Sequence, residues 1–370
     1  MLRRARRWVV LLSAFTLLNL ARARACVDTS RKDAEARLAY LAGRIEARTL
    51  PGLAPGHPFD GEWTVGTLSM TVLAATNLAL RYPDSKAERA VQVSVWTRRL
   101  LEDDARAFDA RQWRGDPLDL SSKDGHAGYL GHLAIALGAA CVLDAPRDQA
   151  LHARVADALA RRLDASPTGL IETYPGETYV PDNVVALAGV ALFDRCTRSD
   201  AHAATVRRFV TETRARWEAP DSGLLRFAPG QPARGSGAAW NSIYLPFIDE
   251  GLAHAQAART WATFGDTALF GLLHGVRERP RGDERGGDVD SGPLVLGVSP
   301  SATGFMLGAA RREADDAHLT GLLTTAELVG VSVGGRYLLS PLVGDAIILA
   351  AKTLTTWPAP PVSAEAATSR

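Results

Sequence analysis

Two kinds of helical stretch alternate along this chain, and the alternation limits what it can fold into. One kind is apolar almost all round: "VGTLSMTVLAATNLAL", "GYLGHLAIALGAACVL", "NVVALAGVALF", "SIYLPFIDEGLAHA", "SATGFMLGAA" and "VGDAIILAAKTL". These stretches open near Thr64, His126, Asn183, Asn241, Ser301 and Leu342. They recur mostly about sixty residues apart. The other kind keeps its apolar side chains on one stripe. In "ALHARVADALARRL", Leu151, Val155, Leu159 and Leu163 share a face opposite the arginines. Such helices open near Arg31, Lys86, Asp148, Asp200, Arg259 and Ala317. A helix that is apolar on every side must be enclosed on every side. The pattern therefore predicts an all-α fold, an inner set of helices sheathed by an outer set, paired six times into an (α/α)6 toroid. The toroid is expected to be one domain over residues 26–358, with a disordered tail at 359–370. An open solenoid is the alternative, but it would wet one face of the apolar members. Only 329–340 has the composition of a short hairpin.

The period is also visible residue by residue. "GLIETYPG" at 169–176 returns as "GLLRFAPG" at 223–230, and each copy leads to an asparagine, Asn183 and then Asn241. "DSG" at 221–223 returns at 290–292. In a closed ring all inner helices run in one direction, so the loops before them meet at one end. Those loops are "GEW", "KDGHAGYLGH", "ETYPGETYVPDN", "RGSGAAWN", "GDVDSGPLVLGVSPS" and "LVGD", and they hold the polar residues. The opposite loops, such as "YPDSKAE" and "DAPRD", are ordinary turns. Helix N-termini converging on the loaded end add partial positive charge suited to carboxylates.

Asp182 and Asp290 are the expected acid–base pair, with Glu177 as substitute. Glu62, Trp63, His126, Tyr129, Tyr174, Tyr179, Asn183, Trp240, Asn241, Tyr244 and Asp288 are the expected substrate contacts. Each has a plainer use. Asp182 and Asn183 suit a helix cap, Asp288 and Asp290 a turn, and His132 a hydrogen-bonded place in the core. No HExxH, cysteine–histidine zinc spacing or P-loop is present, so neither a metal nor a cofactor is expected. Lysine and arginine total 42 against 41 acids, a balance with no general attraction to nucleic acid. The expected partner is a small molecule or glycan.

The first 25 residues form a separate segment. A basic "MLRRARR", an apolar run and the small-x-small "ARA" at 23–25 make the pattern of an export signal. Cleavage before Cys26 and residence in the periplasm or cell envelope is the leading expectation. A lipoprotein carrying lipid on Cys26 comes next, then an uncleaved anchor; the last two would associate with the membrane. Cys141 and Cys196 lie in separate helical stretches and read as buried free thiols before a disulfide.

With the repeat and the loaded loops established, the chain resembles the six-hairpin glycosidase-like toroids. Within them it looks like the linalool dehydratase-isomerase-type branch. The residues that carry the resemblance are "GEWTVGTLSMTVLAATNLAL", "GYLGHLAIALGAA", "YPGETYVPDN", "GSGAAWNSIYLPFIDE" and "GDVDSGPLVLGVSPSATGF". The resemblance implies a pocket acid or base at His132, within "Y-x-GHL". It also implies one of two chemistries, glycosidase work by paired carboxylates or elimination from a small hydroxylated, terpenoid-like substrate. The dehydratase places cysteines in its pocket. Here Cys141 and Cys196 lie away from the loaded loops, and Glu172, Glu177 and Asp182 stand in the corresponding region. A non-catalytic envelope protein that binds a glycan or peptide is the reading from outside enzymology.

Overall fold

The structure, a computed structural model, describes residues 2–50 and 59–358 and is mostly helical; the expected tail lies outside the described residues. The first half comprises α1 (Leu2–Ala25), α2 (Arg31–Glu46), α3 (Asp60–Arg81), α4 (Lys86–Leu100), α5 (Asp103–Trp113), α6 (Ala127–Val142), α7 (Gln149–Ala165) and α8 (Val180–Thr197). The outer helix that follows is broken by a π turn into α9 (Ala203–Arg208) and α10 (Arg214–Trp217). Then come α11 (Gly235–Ile248), α12 (Glu250–Phe264), β1 (Gly265–Ala268), β2 (Leu273–Val276), α13 (Pro300–Arg312), α14 (Asp316–Gly330), β3 (Ser332–Val333), β4 (Arg336–Tyr337) and α15 (Leu342–Thr353).

Capping chemistry sets several of the starts. Asp148 accepts from the Leu151 amide at 2.8 Å, Asp249 from Leu252 at 2.6 Å and Ser299 from Ala302 at 3.0 Å. The apolar helices pack in sequence, α3 on α6, then α8, α11, α13 and α15, and α15 returns to α3. Small residues permit the closest of these approaches. A Cβ built on Gly131 of α6 would stand 2.9 Å from the Ala186 nitrogen of α8. The last link is also hydrogen-bonded: Asn77 of α3 donates to the Ala350 carbonyl at 3.2 Å and accepts from Trp357 Nε1 at 2.7 Å. The repeat has a backbone meaning too. Gly169, Gly176, Gly223, Gly230 and Gly292 all take positive φ, where a side chain would be strained.

Several expectations need correction. "SIYLPFIDEGLAHA" is not one helix, because Asp249 turns the chain between α11 and α12, and α11 opens at Gly235 rather than near Asn241. The β1–β2 hairpin and α5 had no counterpart in the sequence reading, whereas β3–β4 falls inside the expected hairpin stretch. Cys141 and Cys196 are not free thiols but a disulfide joining α6 to α8, with Cα atoms 6.1 Å apart. Helix α1 runs through the small-x-small site and packs on α14. There Ala23 is buried and Arg22 donates to the Glu327 carbonyl at 3.0 Å. Among the described residues one helix, Asp60–Arg81, is long and apolar enough to cross a membrane, and it is mostly buried inside the fold.

Candidate active site

Three carboxylates from separate entries to the apolar helices act on one another. Glu62 stands in the first turn of α3, Asp182 in the first turn of α8, and Asp290 in the loop before α13. Burial pushes Glu62 up to about 8, reinforced by the charges of Asp182 and Asp290 and opposed by a hydrogen bond from Tyr174. Asp182 is pushed up to about 7 by burial and by Asp290, although its Oδ2 accepts from Thr173 Oγ1 at 2.8 Å. Asp290, half-exposed, is pushed up to about 6 by burial and by Asp288, with Arg234 offsetting part of the rise. Burial and the neighbouring acids hold Tyr174 and Tyr179 above the usual phenol range, so both are hydroxyl donors at neutral pH.

The loop bearing Asp290 is fixed from below by Arg234. Its guanidinium, buried over the Phe227 ring, donates to Glu278 at 2.6 Å and to Asp288 at 2.6 Å, and reaches Asp290 at 3.8 Å. Glu278 is fully buried and also accepts from the Ser236 amide and hydroxyl at 3.0 and 2.9 Å. Asp288 is therefore held by Arg234 rather than free to meet substrate. Deeper among the apolar helices, His132 Nδ1 lies 2.8 Å from Ser69 Oγ, and burial brings the imidazole down to about 4, so it is neutral. Trp240 and Tyr244 pack edge-on to it, with centroids at 5.5 and 6.3 Å.

The remaining expected residues separate by what already occupies them. Asp182 does not cap α8, whose opening has no side-chain cap. Asn183, an expected substrate contact, uses its amide within the fold: it accepts from the Ile171 nitrogen at 2.8 Å and donates to the Ile171 carbonyl at 2.9 Å and the Tyr179 carbonyl at 2.8 Å, latching the loop to the helix. Tyr129, another expected contact, is buried and donates to the Leu100 carbonyl at 2.8 Å. Glu177 is exposed and accepts from Tyr179 Oη at 2.7 Å, so it lacks the enclosed setting expected of the substitute acid. Trp63 is partly buried beside Glu62. His126 is fully buried under Trp113 with its Nδ1 2.5 Å from Asp109.

Asp109 was missed by sequence reasoning, as were Arg234 and Glu278. Asp109 lies on α5, itself unforeseen, and its charge reaches Glu62 and Tyr174. Arg234 stood at the start of a loaded loop; Glu278 had no signal. The opposite end is not featureless either: a cavity of about 340 Å³ there is lined by Arg81, Arg311, Arg312, Asp316, Thr355 and Thr356. No protein-family model matches the chain, and no curated protein matches it.

Proposed function

We propose that this chain is an exported enzyme of the (α/α)6 toroid class that cleaves a carbohydrate or glycan by carboxylate acid–base chemistry. The supporting observation is the trio of Glu62, Asp182 and Asp290, whose pKa values spread from about 8 through about 7 to about 6. At neutral pH Glu62 holds its proton and Asp290 has lost its own. That is the division of labour a glycosidic bond requires, an acid for the leaving oxygen and a base to activate water. Asp182 lies between the two values and can relay or donate. Tyr174, donating to Glu62, orients the acid. The cyclic packing of α3, α6, α8, α11, α13 and α15 supports the toroid. The basic and apolar leader and the Cys141–Cys196 disulfide support export, because such a bridge persists in oxidising compartments. The disulfide also removes both cysteines from any pocket chemistry, which weighs against a cysteine-dependent dehydration.

A glycan-panel screen of the mature protein, followed through Glu62→Gln, Asp182→Asn and Asp290→Asn, tests this reading. Each variant should lose about a hundred- to ten-thousand-fold in turnover, while Glu177→Gln stays near wild type. The wild-type rate should be bell-shaped with limbs near 6 and 8, and Asp290→Asn should abolish the acid limb. Full activity in the Asp182 variant would remove that residue from the chemistry. Binding of a sugar with no turnover anywhere on the panel would leave a binding protein instead.

A further inference from the structure

Helix α11 carries Gly237, Trp240, Asn241 and Tyr244 at intervals that place them on one stripe. That stripe faces the interior of the ring. Tyr244 reaches Met70 of α3, Oη to Sδ 3.8 Å, and Trp240 meets His132 of α6 and Phe305 of α13 at centroid distances of 5.5 and 4.9 Å. Asn241 lies within this stripe, is 1% exposed, and neither its Oδ1 nor its Nδ2 has a hydrogen-bond partner. The indole Nε1 of the adjacent Trp240 is buried without a partner as well. An amide left unpaired in the interior destabilises the fold, so such groups are rare unless something else uses them. Asn183 shows the contrast. It follows the earlier copy of the same repeat but stands fourth in its helix, where its amide is consumed by the loop. Asn241 stands seventh in α11, beyond the reach of such a loop.

We infer that Asn241 and Trp240 form the floor of the site and bind a neutral hydroxyl or carbonyl group of the substrate, the carboxamide giving and accepting a hydrogen bond and the indole giving one. Floor and carboxylates adjoin: a Cβ on Gly237 of the same stripe would stand 3.2 Å from Pro181 Cγ, the residue before Asp182. The site repels anions. Glu62, Asp182 and Asp290 line it, and Arg234 is already divided among Glu278, Asp288 and Asp290. Neutral sugars or simple alcohols fit this polarity, and uronic acids do not. The inference rests on the proposed function for the location of the site, but its test uses binding and stability, not turnover. Failure of the acid–base reading would therefore leave the result standing.

The test compares wild type with Asn241→Leu, a near-isostere without polar atoms. Melting temperature is measured first, then binding of methyl β-glucopyranoside, methyl β-glucuronide and cyclohexanol by ligand-observed NMR at pH 8. If the amide is reserved for a ligand, Asn241→Leu should melt higher, by about 2–4 °C. Wild type should bind the glucoside or cyclohexanol, whichever source the hydroxyl has, at least tenfold more tightly than the glucuronide. Asn241→Leu should lose about tenfold of that affinity. A lower melting temperature in the variant would make the amide structural and overturn the inference. So would undiminished affinity in the variant, equal binding of the glucuronide, or no binding of either neutral probe by wild type.

Discussion

At the scale of single residues, the carboxylates make an electrostatic liability that the fold tolerates. Glu62, Asp182 and Asp290 all hold protons that an unfolded chain would release near pH 4. A raised carboxyl pKa means the folded state binds more protons, so its stability declines as pH rises from the unfolded value through the folded one. For Glu62 that window runs from about 4 to about 8. Glu62→Gln should consequently melt close to wild type at pH 5 and progressively above it toward pH 9. Parallel melting curves across that range would show that Glu62 is not held protonated. Asp182 and Asp290 were legible in the sequence because they stand in polar loops that break an apolar pattern. Glu62 was read as a substrate contact, and its raised pKa was not legible, since burial near Asp182 and Tyr174 is a property of three distant segments meeting. The same limit explains Asn183 and Asn241, which look alike in the repeat. One is consumed by a loop and the other is not, and only their depth along their helices separates them.

Among elements, one tight constraint is the crossing of α6 and α8. Gly131 lies against the backbone of Ala186, and Gly189 against Ala134, where an added Cβ would come within 2.4 Å of the alanine methyl. Backbone atoms cannot step aside as a flexible side chain can. Gly131→Ala should therefore destabilise by about 1–3 kcal/mol, read as a fall in denaturation midpoint at an unchanged slope. A silent substitution would show that the two helices have room to separate. Most helices were legible from periodicity, but α8, α11 and α12 open before the expected Asn183, Asn241 and Arg259. The corner at Asp249 was marked by Pro246 and by the polar Asp249-Glu250-Gly251, with Asp249 capping α12, and periodicity passed over it because apolar residues stand on both sides. Helix α5 was hidden by its charge, "DDARAFDARQW" having few apolar residues to set a period. The β1–β2 hairpin turns through Leu269, Phe270 and Gly271 at positive φ, a turn that no Asn-Gly or Asp-Gly signal announces.

For the whole molecule, the cysteines give the most accessible check. Cys26 is exposed and free, whereas Cys141 and Cys196 bridge neighbouring apolar helices across a sequence separation of 55. Alkylation of the protein purified from an oxidising compartment, without reduction, should block at most Cys26. Reduction should open two further sites and cost about 2–4 kcal/mol of stability. Three free thiols under native conditions would remove the bridge and with it one support for export. The order of packing has a further consequence. Lys352 donates to the Asp28 carbonyl at 2.7 Å and pairs with Asp33, so the end of α15 lies beside the start of α2. In a cycle of contacts, succession matters but origin does not. Joining the chain near residue 28 to the segment after Lys352 and opening the exposed turn at 198–200 would keep the order in which the apolar helices pack, at the loss of the contact between α1 and α14. The polypeptide is linear, but the information that specifies its packing is circular.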